Sequence, residues 1–124
     1  MKKSHKIIIS ISLVLLIIIA GLYLNVCIKR NSIKNYTEDY VVSQGYPVET
    51  IKKIDIMHSY INRILSYNEW RISVEFEKKP DMFFWFTYKE GKIIYQGVSS
   101  EPMMDKDKVI EYSEKFKNGT LLDD

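Results

Sequence analysis

The sequence predicts an α+β fold in which an amphipathic helix packs on an antiparallel meander of about four strands. An N-terminal transmembrane helix precedes this domain, and a C-terminal helix follows it. Three observations predict the fold: an uncharged apolar run in residues 7–28, an apolar stripe at helical spacing in residues 31–44, and period-two alternation with hairpin signals in residues 53–97. The 124 residues leave room for one small domain.

The charge of the chain is unevenly placed. Five of the 18 Lys and Arg residues and none of the 16 acidic residues lie in residues 1–30, so residues 31–124 carry a small net negative charge. Nucleic-acid binding needs a cluster of basic side chains that neutralises phosphates. Because the charges of the folded part are interspersed and slightly acidic, we expect no nucleic-acid partner.

Residues 7–28 are predicted to be a signal anchor that lies in the lipid bilayer. A helix of this length spans about 33 Å at ~1.5 Å per residue, which is enough for a hydrocarbon layer of roughly 30 Å. A cleaved signal peptide is the first alternative, but the run is longer than the usual ~7–15 residues and no small-x-small cleavage motif follows it. Lipidation of Cys27 is the second alternative, although Val26 stands where a small residue is needed. The sequence leaves both alternatives open.

The orientation of the anchor is predicted from its short N-terminal tail. Basic residues stand on both sides of the run, so their count does not decide which side is cytoplasmic. They are Lys2, Lys3 and Lys6 before it and Lys29, Arg30 and Lys34 after it. Because the start resembles a signal sequence, we expect residues 1–6 to be cytoplasmic. The domain would then lie outside the cytoplasm, on a single-pass protein of the cell membrane.

The segment that follows the anchor is predicted to be the amphipathic helix. Its apolar residues Ile33, Tyr36, Tyr40 and Val41 share one stripe. Gly45 is typical of the left-handed residue that ends a helix. No Pro or Gly interrupts residues 22–44, so the sequence allows this helix to be continuous with the membrane helix.

Four strands are predicted after Pro47. They cover residues 53–60, 70–77, 83–89 and 92–97. Residues 78–81 are predicted to form a turn because they contain Pro80 and Asp81, and Glu90-Gly91 separates the last two strands at hairpin distance. We therefore expect an extracytoplasmic domain over residues 31–98 and a helical extension over residues 99–124.

The third strand is apolar on both of its faces. Phe84 and Phe86 alternate with Phe83 and Trp85, and one of these faces must meet the amphipathic helix. The other face leaves Phe83 and Trp85 near Ile94. A helix predicted over residues 105–116, with Val109, Tyr112 and Phe116 on one side, is expected to cover that face. The alternative is a partner-binding surface formed by Phe83, Trp85 and Ile94.

The sequence predicts no catalytic, cofactor-binding or metal-binding residues. His58 is the only histidine of the domain, and its alternation with Ile54 and Ile56 favours a structural role. A glycan hydrolase would need a carboxylate pair, for which Glu75 and Glu77 are the candidates. Their basic neighbours favour a solvated sheet face instead.

The order of the domain's motifs resembles an uncharacterised family of small membrane-anchored proteins from Gram-positive bacteria, a domain of unknown function. The motifs are Gly45-Tyr46, Ile51, Ile54, Tyr67, Trp70, Ile72-x-Val74-x-Phe76, Pro80, Tyr88, Gly91-Lys92-Ile93 and Gln96-Gly97. The resemblance covers about residues 1–98 and implies an extracytoplasmic domain on one membrane helix, without implying a reaction. In layout alone, the chain is similar to PepSY-like and cystatin-like modules, many of which modulate other envelope proteins.

The functional hypothesis that fits these observations is a non-catalytic accessory or inhibitory module that binds another protein of the cell envelope. It follows from the anchor, the aromatic strand and the missing catalytic set. Two alternatives remain open: an envelope polymer hydrolase that uses Glu75 and Glu77, and a toxin-immunity protein.

Overall fold

The structure is a computed structural model that describes residues 2–65 and 68–123, so Tyr67 lies outside the described residues. The predicted α+β class is confirmed. In chain order, the elements are α1 (Lys2–Ser43), a 3-10 turn (Val48–Thr50), β1 (Ile51–His58), α2 (Tyr60–Ile64), β2 (Trp70–Phe76), β3 (Lys79–Lys89), β4 (Lys92–Ser100) and α3 (Lys106–Lys117).

The chain divides into two units, with the boundary between Ser32 and Ile33. The first unit belongs to α1, the one helix among the described residues that is long and apolar enough to cross a membrane. Its most apolar window has a mean hydropathy of 3.0, and none of that window is buried within the structure. By length and composition, this part of α1 is a candidate membrane anchor.

The second unit contains a four-stranded sheet in the order β1-β2-β3-β4, with every neighbouring pair antiparallel. The predicted hairpin at Glu90-Gly91 is confirmed, since Lys89 pairs with Lys92 and both turn residues have positive φ (53° and 77°). Two such residues are typical of the turn whose twist matches that of the flanking strands.

The predicted turn over residues 78–81 is wrong. Phe76 pairs with Lys79, so the turn is shorter and Pro80 and Asp81 belong to β3. The strand accommodates Pro80 because the β2–β3 pairing is irregular there, and regular pairing resumes at Val74 and Phe84. Pro is tolerated at such irregularities because it donates no ladder hydrogen bond.

One face of the sheet, which we call the inner face, forms the hydrophobic core. It presents fully buried aromatic and aliphatic side chains of β2 and β3, namely Ile72, Val74, Phe76, Phe84 and Phe86. The part of α1 after Ser32 packs on this face: the Tyr36 ring stacks on Tyr88 at 6.0 Å, and Tyr40 meets Phe86 edge-on at 5.7 Å between ring centroids. Of the predicted stripe, Ile33 and Val41 are fully buried and Tyr40 is partly buried, whereas Tyr36 is 50% exposed, so the amphipathic helix buries most of its stripe.

The helix α3 also packs on the inner face, so the prediction that it covers Phe83 and Trp85 is wrong. The Phe116 ring is fully buried, and its centroid lies 5.1 Å from Phe84 and 5.2 Å from Tyr95. Four strands span about 14 Å between their outermost axes, whereas one helix is roughly 10 Å wide. A second helix is therefore needed to complete the cover of the inner face, and α3 supplies it.

The two longer helices of the domain, α1 and α3, each end at a glycine with positive φ, as the sequence predicts for Gly45. Gly45 has φ 104° and Gly119 has φ 75°. The pair of backbone hydrogen bonds that defines a Schellman motif closes each end. The two ends also meet, because the Cα of Gly119 lies 4.0 Å from the position that a Cβ on Gly45 would occupy.

Tyr46 joins the two helix ends. Its ring stacks on Phe116 at 5.3 Å, and its hydroxyl donates to the carbonyl oxygen of Phe116 at 2.8 Å and accepts from the backbone nitrogen of Leu121 at 3.4 Å. Only 1% of the residue is exposed. Burial raises the pKa of Tyr46 above its ordinary value, because the charged form would lose its hydration.

We predict that Gly119→Ala destabilises the domain more than Gly91→Ala does. Both positions have similar positive φ, which costs Ala about 1 kcal/mol. A Cβ at position 119 would lie 2.8 Å from the carbonyl oxygen of Gln44, whereas nothing lies within 4 Å at position 91. We expect the overpacking to add about 1–3 kcal/mol at position 119. Urea unfolding of the full-length protein in micelles, followed by tryptophan fluorescence, measures the free energy of unfolding of both variants. Equal losses of stability in the two variants would contradict the close approach of Gly119 to the Gln44 carbonyl oxygen.

We predict that the domain loses stability as the pH rises above about 10. Burial raises the pKa of Tyr46 and that of Tyr95, whose hydroxyl is 2.8 Å from the Ser113 Oγ. The native tyrosines therefore keep their protons at a pH where the unfolded chain has lost them, and the free energy of unfolding falls with pH. Tyr46→Phe and Tyr95→Phe should each make this fall shallower between pH 9 and 11. A wild-type slope in both variants would contradict the prediction.

Candidate functional site

The second face of the sheet, which we call the outer face, carries the residues that the sequence singles out. Both α3 and the part of α1 that follows Ser32 pack on the inner face. Neither helix covers Phe83 or Trp85, and these two side chains are half-buried. Ile94 lies on the same face, where it pairs with Thr87 across the β3–β4 ladder, and it is exposed. The outer face therefore brings Phe83, Trp85 and Ile94 onto one surface.

Trp85 is held in place by its neighbours. Its Nε1 donates to the Ser99 Oγ at 2.7 Å, and the Arg71 guanidinium carbon lies 5.1 Å from the ring centroid. Phe83 stands beside it, 6.5 Å away between ring centroids. The indole is thus fixed by one hydrogen bond and one cation–π contact, although neither α1 nor α3 covers it.

An open depression of about 360 Å³ lies beside Trp85. Phe83, Trp85 and the exposed Met57 form its apolar wall, and Asp55 and Glu101 place carboxylates at it. The Asp55 carboxylate is 3.3 Å from the Lys53 Nζ, so part of this charge is already paired. The surface combines aromatic, Met and Arg side chains with polar groups, which is the composition typical of protein interfaces.

The carboxylates predicted for the alternative hydrolase do not form an isolated pair. Glu75 lies on β2 with only 12% of its side chain exposed, and its Oε1 is 3.3 Å from the Lys52 Nζ. Glu77 follows the last residue of β2, and its backbone nitrogen donates to the Thr50 carbonyl oxygen at 2.9 Å. Glu75 is therefore engaged in an ion pair with Lys52. Among the described residues, no group of three His, Cys, Asp or Glu side chains could hold a metal ion.

His58 has the structural surroundings that its alternation predicts. Its side chain is 2% exposed, and its Nε2 lies 2.7 Å from the Glu69 Oε1. The rings of Tyr60 and Trp70 flank it at 4.5 and 4.4 Å between centroids. These contacts fix the end of the sheet where β1 and β2 are joined.

Sequence reasoning missed three features of the domain. It missed the contact of Arg71 with Trp85, because a cross-strand neighbour depends on the register of the ladder. It missed Glu101 at the depression, since β4 runs on to Ser100, beyond its predicted end at residue 97. It also missed α2, whose only signal was the spacing of Tyr60, Ile61 and Ile64.

No family model matches the sequence, and no curated protein or solved structure matches it either. The resemblance to a family of small membrane-anchored proteins therefore stays a prediction.

We predict that the inner and outer faces differ sharply in their contribution to stability. Phe84→Ala removes a fully buried ring, which should cost about 3–5 kcal/mol. Phe83→Ala, one residue earlier on the outer face, should cost only about 1 kcal/mol because the ring is already partly hydrated. Urea unfolding in micelles measures both losses. Equal losses would mean that the outer face is covered after all.

Proposed function

We propose that the chain is a non-catalytic, single-pass membrane protein of the cell envelope whose domain binds another protein through the outer face of its sheet. The observation that carries the proposal is an uncovered sheet face on which Trp85 is fixed by Arg71 and Ser99. The role that fits this arrangement is that of an accessory or inhibitory module.

The chemistry of the outer face supports a protein as the partner. Trp and Arg are the residues most enriched among those that dominate binding energy, and here they are in contact with each other. Because Trp85 is already oriented by Ser99, it loses little conformational freedom on binding. The flanking Phe83, Met57 and Ile94 extend the apolar area around it.

The membrane topology is part of the same proposal. The apolar part of α1, residues 7–28, lies in the bilayer, residues 1–6 are cytoplasmic, and the domain lies on the extracytoplasmic side of the membrane. The length and hydropathy of α1 support the span. The short N-terminal tail supports this orientation.

We predict that a photocrosslinking amino acid in place of Met57 forms one discrete adduct with a partner protein in intact cells. Met57 is exposed and lines the depression, so the probe reports on the outer face without removing Trp85. Adding Trp85→Ala should reduce the adduct at least tenfold, since the fixed indole provides the anchor.

The matched control is the same probe in place of Ile110, which is exposed to a similar extent on α3. It should give no such adduct. The proposal fails if position 57 gives no adduct, if Trp85→Ala leaves the adduct unchanged, or if position 110 gives the same one.

A further inference from the structure

A second apolar surface lies on α2, which joins β1 to β2. Its aliphatic side chains are among the most exposed of the domain: Ile61 is 68% exposed, Ile64 is 81% exposed and Leu65, the next residue, is 56% exposed. Their spacing of three and one places all three on one side of the helix. We call Ile61, Ile64 and Leu65 the α2 patch.

The polar side of this segment is tied to the domain. The Ser59 Oγ accepts a hydrogen bond from the Asn62 backbone nitrogen at 3.2 Å and so caps the helix. The Asn62 Nδ2 donates to the Asn68 carbonyl oxygen at 3.0 Å, and the Arg63 Nε lies 3.9 Å from the Glu69 Oε1. With this side fixed, the α2 patch is held outward instead of folding onto the sheet.

The α2 patch lies at the end of the sheet where α1 enters the domain. His58 and Trp70 pair at this end, and the Thr87 Oγ1 donates to the Trp70 carbonyl oxygen at 2.7 Å. Tyr88, the next residue of β3, carries the ring on which Tyr36 of α1 stacks. The opposite end of the sheet holds the β2–β3 turn at Lys78.

The length of chain between this end and the apolar run limits their separation. Ile28 is the last residue of the run, and Ile33 is the first residue of the domain unit. The five residue-to-residue steps from Ile28 to Ile33 span at most roughly 18 Å even when the chain is fully extended. A bilayer that contains residues 7–28 therefore lies within reach of this end of the domain.

We propose that the α2 patch inserts into the interfacial layer of the membrane that α1 spans. This inference rests on the proposed membrane anchor. A lipid layer accepts aliphatic side chains from a protruding turn without a complementary groove. The adjacent Tyr60 and Arg63 are the types of residue that place an apolar body at the headgroup level and a polar tip in water. Such contact would fix the domain against the membrane and leave the outer face free.

The test measures the depth of single labelled cysteines in the full-length protein. Cys27 is the only cysteine of the chain, so Cys27→Ala provides the background. Into it, Ile64→Cys, Lys78→Cys and Ile17→Cys are introduced separately, each labelled with a polarity-sensitive fluorophore. The proteins are reconstituted in vesicles of phosphatidylcholine and phosphatidylglycerol with and without brominated acyl chains, which quench only a probe that contacts lipid.

The proposal predicts that quenching at position 64 is at least threefold stronger than at position 78, with a blue-shifted emission. If position 64 behaves like position 78 while position 17 is quenched, the inference is wrong and the anchor stands. If position 17 is not quenched either, the proposed anchor fails and the inference falls with it. A blue shift at position 64 without quenching would mean that protein covers the α2 patch, which also overturns the inference.

Discussion

The arrangement of the domain depends on the contact between Tyr46 and Phe116. Their stacked rings and the hydrogen bond from the Tyr46 hydroxyl to the Phe116 carbonyl oxygen connect the end of α1 with the end of α3. These residues are 70 positions apart along the chain. The chain closes this long loop at a point where two glycine turns allow the backbones to approach, which is why a Cβ on Gly119 would meet Gln44.

This contact has a consequence on the opposite side of the sheet. With Phe116 among Phe84, Phe86 and Tyr95, both helices are used to cover the inner face. The aromatic side chains of β3 that point the other way then remain on the face that neither α1 nor α3 covers. Trp85 is kept there in a defined orientation by Arg71 and Ser99. A surface that is open yet ordered in this way is suited to binding, which is the basis of the proposed function.

Local patterns in the sequence predict much of the fold, because they are tied to local geometry. Gly45 and Glu90-Gly91 mark positions where the backbone needs positive φ, and the alternation after Trp70 marks a half-buried strand. The face on which α3 packs could not be predicted in this way. The apolar spacing of α3 indicates that one side of this helix is buried, but the sheet offers two apolar faces. Only the width of the inner face and the position of Tyr46 decide on which face α3 packs. The contact of Arg71 with Trp85 likewise requires the register, which no single strand contains.

The most direct test of this account is the set of nuclear Overhauser contacts made by the Phe116 ring in the full-length protein in micelles. The account predicts contacts to Phe84 and Tyr95, whose ring centroids lie 5.1 and 5.2 Å away. It predicts none to Phe83 or Trp85. Contacts from Phe116 to the Trp85 indole would place α3 on the outer face, and both the arrangement of the core and the proposed binding surface would then be wrong.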